Sequence, residues 1–172
     1  MIVLSSNRFA LKEWADVCGR LGRGDIVLLL RKGGVREAGF RTERREFFLF
    51  PTRFHAEGAP PPDAVDLELY AEVVDDVRVE ELDRLRRLDG LHALAWEDVE
   101  KRFHYRTPGL WALTLRVRRL ARPARVENAR AYDGCVSWVE LDREREVETS
   151  GPALGDAEFE KRREAARSAL LG

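Results

Sequence analysis

Apolar and polar positions alternate most cleanly between Leu110 and Leu120. There Trp111, Leu113, Leu115 and Val117 face one way, and Ala112, Thr114, Arg116 and Arg118 face the other. That period of two predicts a strand, with Pro123 ending it. Leu67, Leu69, Ala71 and Val73 alternate in the same way with Glu68, Tyr70 and Glu72 and predict a half-buried strand. Two short apolar runs, within Asp25–Arg31 and Arg45–Thr52, read as strands buried on both faces. Lying either side of Lys32-Gly33-Gly34, they are expected to pair as a long hairpin. Pro51 and Thr52 could open a short helix through His55, and Glu57–Ala64, with Pro60-Pro61-Pro62, reads as a loop.

Helical spacing appears elsewhere. Leu11, Trp14, Ala15, Cys18 and Leu21 recur at steps of three and four, predicting a helix over Phe9–Leu21 that stops at Gly22 and Gly24. Phe9, Leu11 and Glu13 also alternate with Lys12 and Trp14, which leaves a strand open for its first half. Val79–Leu88 and Ala95–Phe103 read as helices parted by Asp89-Gly90. Val136–Leu141 reads as a short strand, and Asp156–Leu171 as a surface helix capped by Asp156.

Helices and strands in this order do not alternate strictly, so a doubly wound parallel sheet is not expected. The fold class is α+β: a curved, mostly antiparallel sheet with packed helices. A helix running into glycine and then into a strand that ends Arg31-Lys32 resembles the opening of the PUA-like superfamily, so a small PUA-like barrel is one concrete form. At 172 residues the chain fits a single domain, 1–172, with a core over 9–141 and a C-terminal helix over 156–171.

Charge changes the picture in kind more than in sum. Charged residues make up 35%, with Lys and Arg numbering 30 against 31 Asp and Glu. Only Lys12, Lys32, Lys101 and Lys161 are lysines. Coding bias accounts for such a preference, and so does a use for bidentate phosphate contacts and base stacking. No basic segment followed by a long apolar stretch marks a signal peptide, and the longest apolar run, Ile26–Leu30, is far short of the roughly 20 residues of a membrane span. A cytoplasmic protein without membrane contact is expected.

Candidate chemistry is sparse. His55, His92 and His104 lack the close spacing of zinc ligands, and Cys18 and Cys135 form no Cys-x-x-Cys pair, so neither a metal nor a cofactor is expected. Lys32-Gly33-Gly34 lacks the phosphate-loop spacing, although amides freed by Gly33 and Gly34 beside Arg31, Lys32 and Arg36 could hold a phosphate. Rings at Trp14, Tyr105, Trp111, Tyr132 and Trp138 are interleaved with arginines such as Arg116, Arg118, Arg119 and Arg122. Rings beside a groove of arginines suit single-stranded or flipped nucleotides.

Four blocks carry a resemblance: Ala10-Leu11-Lys12-Glu13-Trp14-Ala15; Leu30-Arg31-Lys32-Gly33-Gly34-Val35 with Phe40; Phe47-Phe48-Leu49-Phe50-Pro51-Thr52 with His55; and Tyr132-Asp133-Gly134-Cys135-Val136-Ser137-Trp138-Val139. Together they resemble the bacterial domain of unknown function 1802 over roughly Phe9–Phe159. The resemblance implies no activity. It is to a domain found fused to Mrr-type restriction endonuclease domains, which implies a role beside nucleic acid, linked to restriction or defence. Arg44 stands where the family often has His, and Ala56 where Gln follows the last His; both departures weaken a polar site there.

The expected function is a nucleic-acid-associated binding module, for DNA or RNA. Lys12, Arg31, Lys32, Arg116 and Arg118 would hold phosphates, a pocket containing Trp14, His55, Tyr132 or Trp138 would take a base, and Ser137 is a further binding candidate. A small-molecule protein or enzyme with Lys12, Glu13, His55 and Cys135 in one pocket is the alternative, and a protein-interaction domain the second. The balance leans against an enzyme.

Overall fold

The computed structural model describes residues 5–33, 39–53, 62–128, 132, 134 and 136–172. Strands β1 (Ser5–Trp14), β2 (Leu28–Arg31), β3 (Glu46–Thr52), β4 (Ala64–Val79), β5 (Leu110–Glu127), β6 (Trp138–Val147) and β7 (Thr149–Pro152) form one sheet. Helices α1 (Ala15–Gly22), α2 (Leu82–Arg86), α3 (Trp96–His104) and α4 (Asp156–Leu171) accompany it.

The hydrogen-bonded order is β2-β5-β4-β3-β1-β6, antiparallel except for the parallel pair β1–β3. Across Glu148 alone, β6 runs on into β7, which pairs with Arg118–Leu120 of β5. Both ends of the path β5-β4-β3-β1-β6 are thereby joined, and the sheet curls into a small barrel. The α+β, curved and mostly antiparallel architecture expected from the sequence is the one found.

Several local expectations give way to tertiary pairing. Phe9–Trp14 is strand, because β3 and β6 flank it on either side and together outweigh its helical spacing. Only Ala15–Gly22 is helix, packing Val17, Cys18 and Leu21 into the core. The hairpin between the Leu28 and Phe47 runs does not form: β2 pairs with β5, and β3 with β1 and β4. Pro51 and Thr52 finish β3 rather than open a helix. Pro123 does not end β5, because it lies where the ladder is already broken, between Arg119↔Leu69 and Ala124↔Leu67. A proline without an N–H is tolerated at such an irregularity. His55, Cys135 and most of the Glu57–Ala64 segment lie outside the described residues.

Inside the curl, alternate residues of β3 go to opposite faces: Phe47 and Leu49 join Leu11, Leu29 and Leu113, whereas Phe48 and Phe50 join Leu67, Tyr132 and Val139. A third cluster lies where α2, α3 and α4 cover β2 and the start of β5, built on Leu28, Leu85, Phe103, Leu110 and Phe159. Helix α4 is therefore no mere surface helix. Gly155 occupies its N-cap position and no side chain caps it. Asp156 instead forms an ion pair with Arg116, whose guanidinium lies 4.7 Å from the centre of the Phe159 ring. Arg163 forks onto both carboxylate oxygens of Asp75 at 2.7 and 3.2 Å. Arg162 donates to the carbonyls of Gly24 and Asp25.

Two outcomes follow from this packing. Phe159 is 2% exposed, and Phe159→Ala should lower unfolding free energy by about 3–5 kcal/mol in urea titration. A loss below about 1 kcal/mol would show that α4 is not docked as described. Burial, followed by the negative charges of Glu13 and Asp16, raises the Cys18 thiol from 9.0 to about 12. Its folded-state pKa lies above its unfolded value. The thiol therefore contributes stability that is complete below about pH 9 and lost as pH climbs toward 12. In a Cys135→Ser background, iodoacetamide at pH 8 should modify Cys18 only as fast as the protein unfolds; modification at a free-thiol rate contradicts its burial.

Candidate functional site

A cleft opens where β3 changes partner. Its Glu46–Phe48 segment pairs with Tyr70–Glu72 of β4, and its Phe48–Thr52 segment pairs with Ala10–Trp14 of β1. Leu49–Thr52 and the start of β4 consequently part, and residues of both line a cavity of about 1740 Å³. Other walls come from α1, from the end of β2, from α3 and from the segment before β6.

Arg31 dominates the floor. Its guanidinium donates to the Lys12 carbonyl at 3.1 Å, to Glu13 Oε2 at 2.9 Å and to Ser137 Oγ at 2.8 Å. Glu13 is itself 8% exposed and accepts from the Trp14 amide at 2.8 Å. The Lys12 amide donates to the Ser137 carbonyl at 2.9 Å, and its Nζ donates to the carbonyls of Tyr132 at 2.7 Å and Gly134 at 2.8 Å. Three of the four blocks singled out in the sequence, those around Lys12, Arg31 and Ser137, thus meet in space; the remaining block meets them through Thr52, whose hydroxyl donates to the Glu13 carbonyl at 3.2 Å.

Lys32 lines the same cleft, but its amine donates to the carbonyls of Phe103 at 3.1 Å, Thr107, and Gly109 at 2.8 Å. Burial, then the charge of Arg78, pulls that amine below the ordinary lysine value. Arg31 and Lys32 therefore hold protein rather than frame a phosphate turn at Gly33. Trp14 and Tyr132 line the cleft. Trp138 does not: its indole N–H donates to the Arg41 carbonyl at 2.8 Å, and its ring packs on Phe40 and Phe47.

Arg116 and Arg118 also lie away from it. Arg116 faces Asp156 and Glu160 on α4, and Arg118 sits opposite Tyr70 and Pro152 in the sheet. The single groove of arginines expected from β5 is not formed. Arg119 alone of that run reaches the cleft, where it donates to the carbonyls of Gly22 and Pro152. His92 is buried, and its Nδ1 accepts from the Leu94 amide, a structural role; burial lowers its pKa.

At the end of α3, sequence reasoning named Tyr105 only as one of several rings and overlooked Lys101 and Arg102. Lys101, Arg102 and Tyr105 line the cleft beside Asp98. Their signal was present in Lys101-Arg102-Phe103-His104-Tyr105-Arg106, where cations and rings interleave at a helix C-terminus. Among the described residues, eight Lys and Arg line the cleft against four Asp and Glu. The chain as a whole is balanced at −1, so positive charge is concentrated here. Among those same residues no cluster of His, Cys, Asp and Glu is arranged to hold a metal, and no helix is long and apolar enough to cross a membrane.

Comparison with known proteins agrees with the fold. Three crystal structures of ASCH from Zymomonas mobilis superpose with a TM-score of 0.51, two of them of single-residue mutants of that protein. They share 14–15% sequence identity with this chain and cover 78% of it and 87–90% of their own lengths. The barrel is thus of the PUA-like kind. No curated protein matches the chain. The profile of a domain of unknown function, DUF1802, matches residues 10–165, and over that span the chain belongs to the DUF1802 family.

Proposed function

We propose that the cleft binds single-stranded nucleic acid, which makes the protein a nucleic-acid-binding module rather than an enzyme. The observation that carries this reading is the twofold excess of cations over carboxylates in the cleft of a chain whose net charge is −1. Phosphate backbones respond to such local excess, whatever the total charge. The cavity of about 1740 Å³ is larger than the roughly 300–1000 Å³ of small-molecule sites, which favours a polymer.

Among the cleft cations, division of labour is clear. Lys12, Arg31, Lys32 and Arg119 are bonded to carbonyls or to Glu13 and shape the walls. Lys101 and Arg102 face no carboxylate within salt-bridge distance among the described residues. They are the groups that would meet phosphates, while Trp14 supplies a ring in the cleft wall. The family's implied neighbourhood, beside restriction nuclease domains, is in keeping with such a role.

Fluorescence anisotropy with labelled single-stranded and duplex DNA and RNA tests the reading. Affinity for single strands should fall steeply with salt. Changing Lys101 and Arg102 together to Glu should weaken binding and flatten the log–log salt slope by about 1.4, since each lost contact to a single strand removes roughly 0.7. Arg118→Glu, outside the cleft, should leave both unchanged. Equal loss from Arg118→Glu would move the binding face to β5, and no binding of any oligonucleotide at about 50 µM would remove the reading altogether.

A further inference from the structure

The loop from Tyr105 to Gly109, between α3 and β5, is braced more heavily than its exposed position requires. Lys32 reaches across from the end of β2 and donates to the carbonyls of Phe103, Thr107 and Gly109. Arg78 donates to the Pro108 carbonyl at 2.9 Å. Its guanidinium lies so close that a Cβ added at Gly109 would come within 2.6 Å of it, and Gly109 has a φ of +125°. The Gly109 amide in turn bonds the Phe103 carbonyl at 3.1 Å. Two cations thus fix a loop whose residues 105–108 are exposed, and the nearest core side chain before it is Phe103 of α3, 4% exposed.

Residues 104–108, just beyond Phe103, face water. Tyr105 is 45% exposed, among the few large apolar side chains of the described residues to be so. The Arg106 guanidinium sits 5.0 Å from the centre of its ring. Arg106 has a φ of 58°, and among the described residues no other non-glycine residue adopts a positive φ. An arginine gains nothing intrinsic from that left-handed conformation, which is disfavoured by its Cβ, and such strain persists only where the surroundings impose it. The bracing flanks it on both sides, at Phe103 and at Thr107, Pro108 and Gly109, and an exposed ring backed by a cation stands beside it among the cleft-lining residues. Lys101 and Arg102 lie within one helical turn of that ring on the same wall.

We infer that Tyr105, backed by Arg106, is a stacking platform for one unpaired nucleobase of a strand whose phosphates lie on Lys101 and Arg102. The inference rests on the nucleic-acid reading of the cleft and adds to it the group that contacts the base. An aromatic face accepts any base, so the platform is tolerant of sequence. A guanidinium over the ring adds cation–π attraction to the stack. Bases inside a duplex have both faces covered by their neighbours, so the platform selects single strands. Lys32 acts as a positioning residue, through the loop carbonyls and without touching the base.

The test uses the full chain and two labelled oligomers of about ten units, oligothymidine and its abasic counterpart, with affinity read by anisotropy. Tyr105→Ala should weaken binding of oligothymidine roughly 5- to 100-fold and leave the abasic oligomer unchanged, and Tyr105→Trp should retain the wild-type preference. If Tyr105→Ala binds oligothymidine as tightly as wild type, or loses equally on both oligomers, the platform is wrong and the cationic cleft stands. If the wild-type protein binds neither oligomer, both fall together.

Discussion

Arg31 joins strands that the sheet itself keeps far apart. In the hydrogen-bonded order β2 and β1 are separated by β5, β4 and β3, yet the Arg31 guanidinium bonds the Lys12 carbonyl, the Glu13 carboxylate and the Ser137 hydroxyl at once. Its side chain and that of Glu13 are 14% and 8% exposed. An ion pair so buried contributes little over an apolar pair of the same shape, but removing either partner leaves a stranded charge and costs about 3–5 kcal/mol. The pair therefore specifies the curl of the barrel more than it adds to stability. The end of β1 where it exits into α1 and the residue before β6 meet at it.

The same reasoning accounts for much of the arginine in the chain. Arg119, Arg162 and Arg163 each contact two groups or more from a single planar fork, tying α1, α4, β4 and β7 together. Lys12 and Lys32 serve where carbonyls cluster around a point, which suits a compact ammonium. Most positive charge is therefore bound to the protein itself. The cations at the end of α3 acquire significance because they are not used in this way.

Alternation was a reliable guide to β4 and β5, whose faces differ in burial, and the limits of α4 were legible from its spacing, although Asp156 is not its cap. Partners were not legible. The Leu28 run is apolar on both faces and carries no mark of whether β3 or β5 lies beside it. Phe9–Trp14 satisfies both periods, and only the presence of β3 and β6 decides between them. At the candidate site, the motif blocks singled out Lys12, Arg31 and Ser137, which meet in space through the curl of the sheet rather than through chain proximity. Arg116 and Arg118 misled because a strand's exposed arginine looks the same in sequence whether it meets a ligand or a helix. Tyr105 was visible as a ring, but its presentation depends on Lys32, some seventy residues earlier.

Joining the two ends of the sheet through β6 and β7 also bears on how the chain reaches its fold. Ser5–Asn7 find their antiparallel partners only at Arg145–Val147, and Arg118–Leu120 theirs only at Thr149–Pro152. Closure thus waits for contacts of very large sequence separation, which places the domain toward the slow end of folding rates. Until residue 147 has been synthesised, one edge of β1 has no partner and remains a template for other strands. During synthesis the protein therefore passes through a stage in which an aggregation-prone edge is open, and it becomes safe only when its sixth strand arrives.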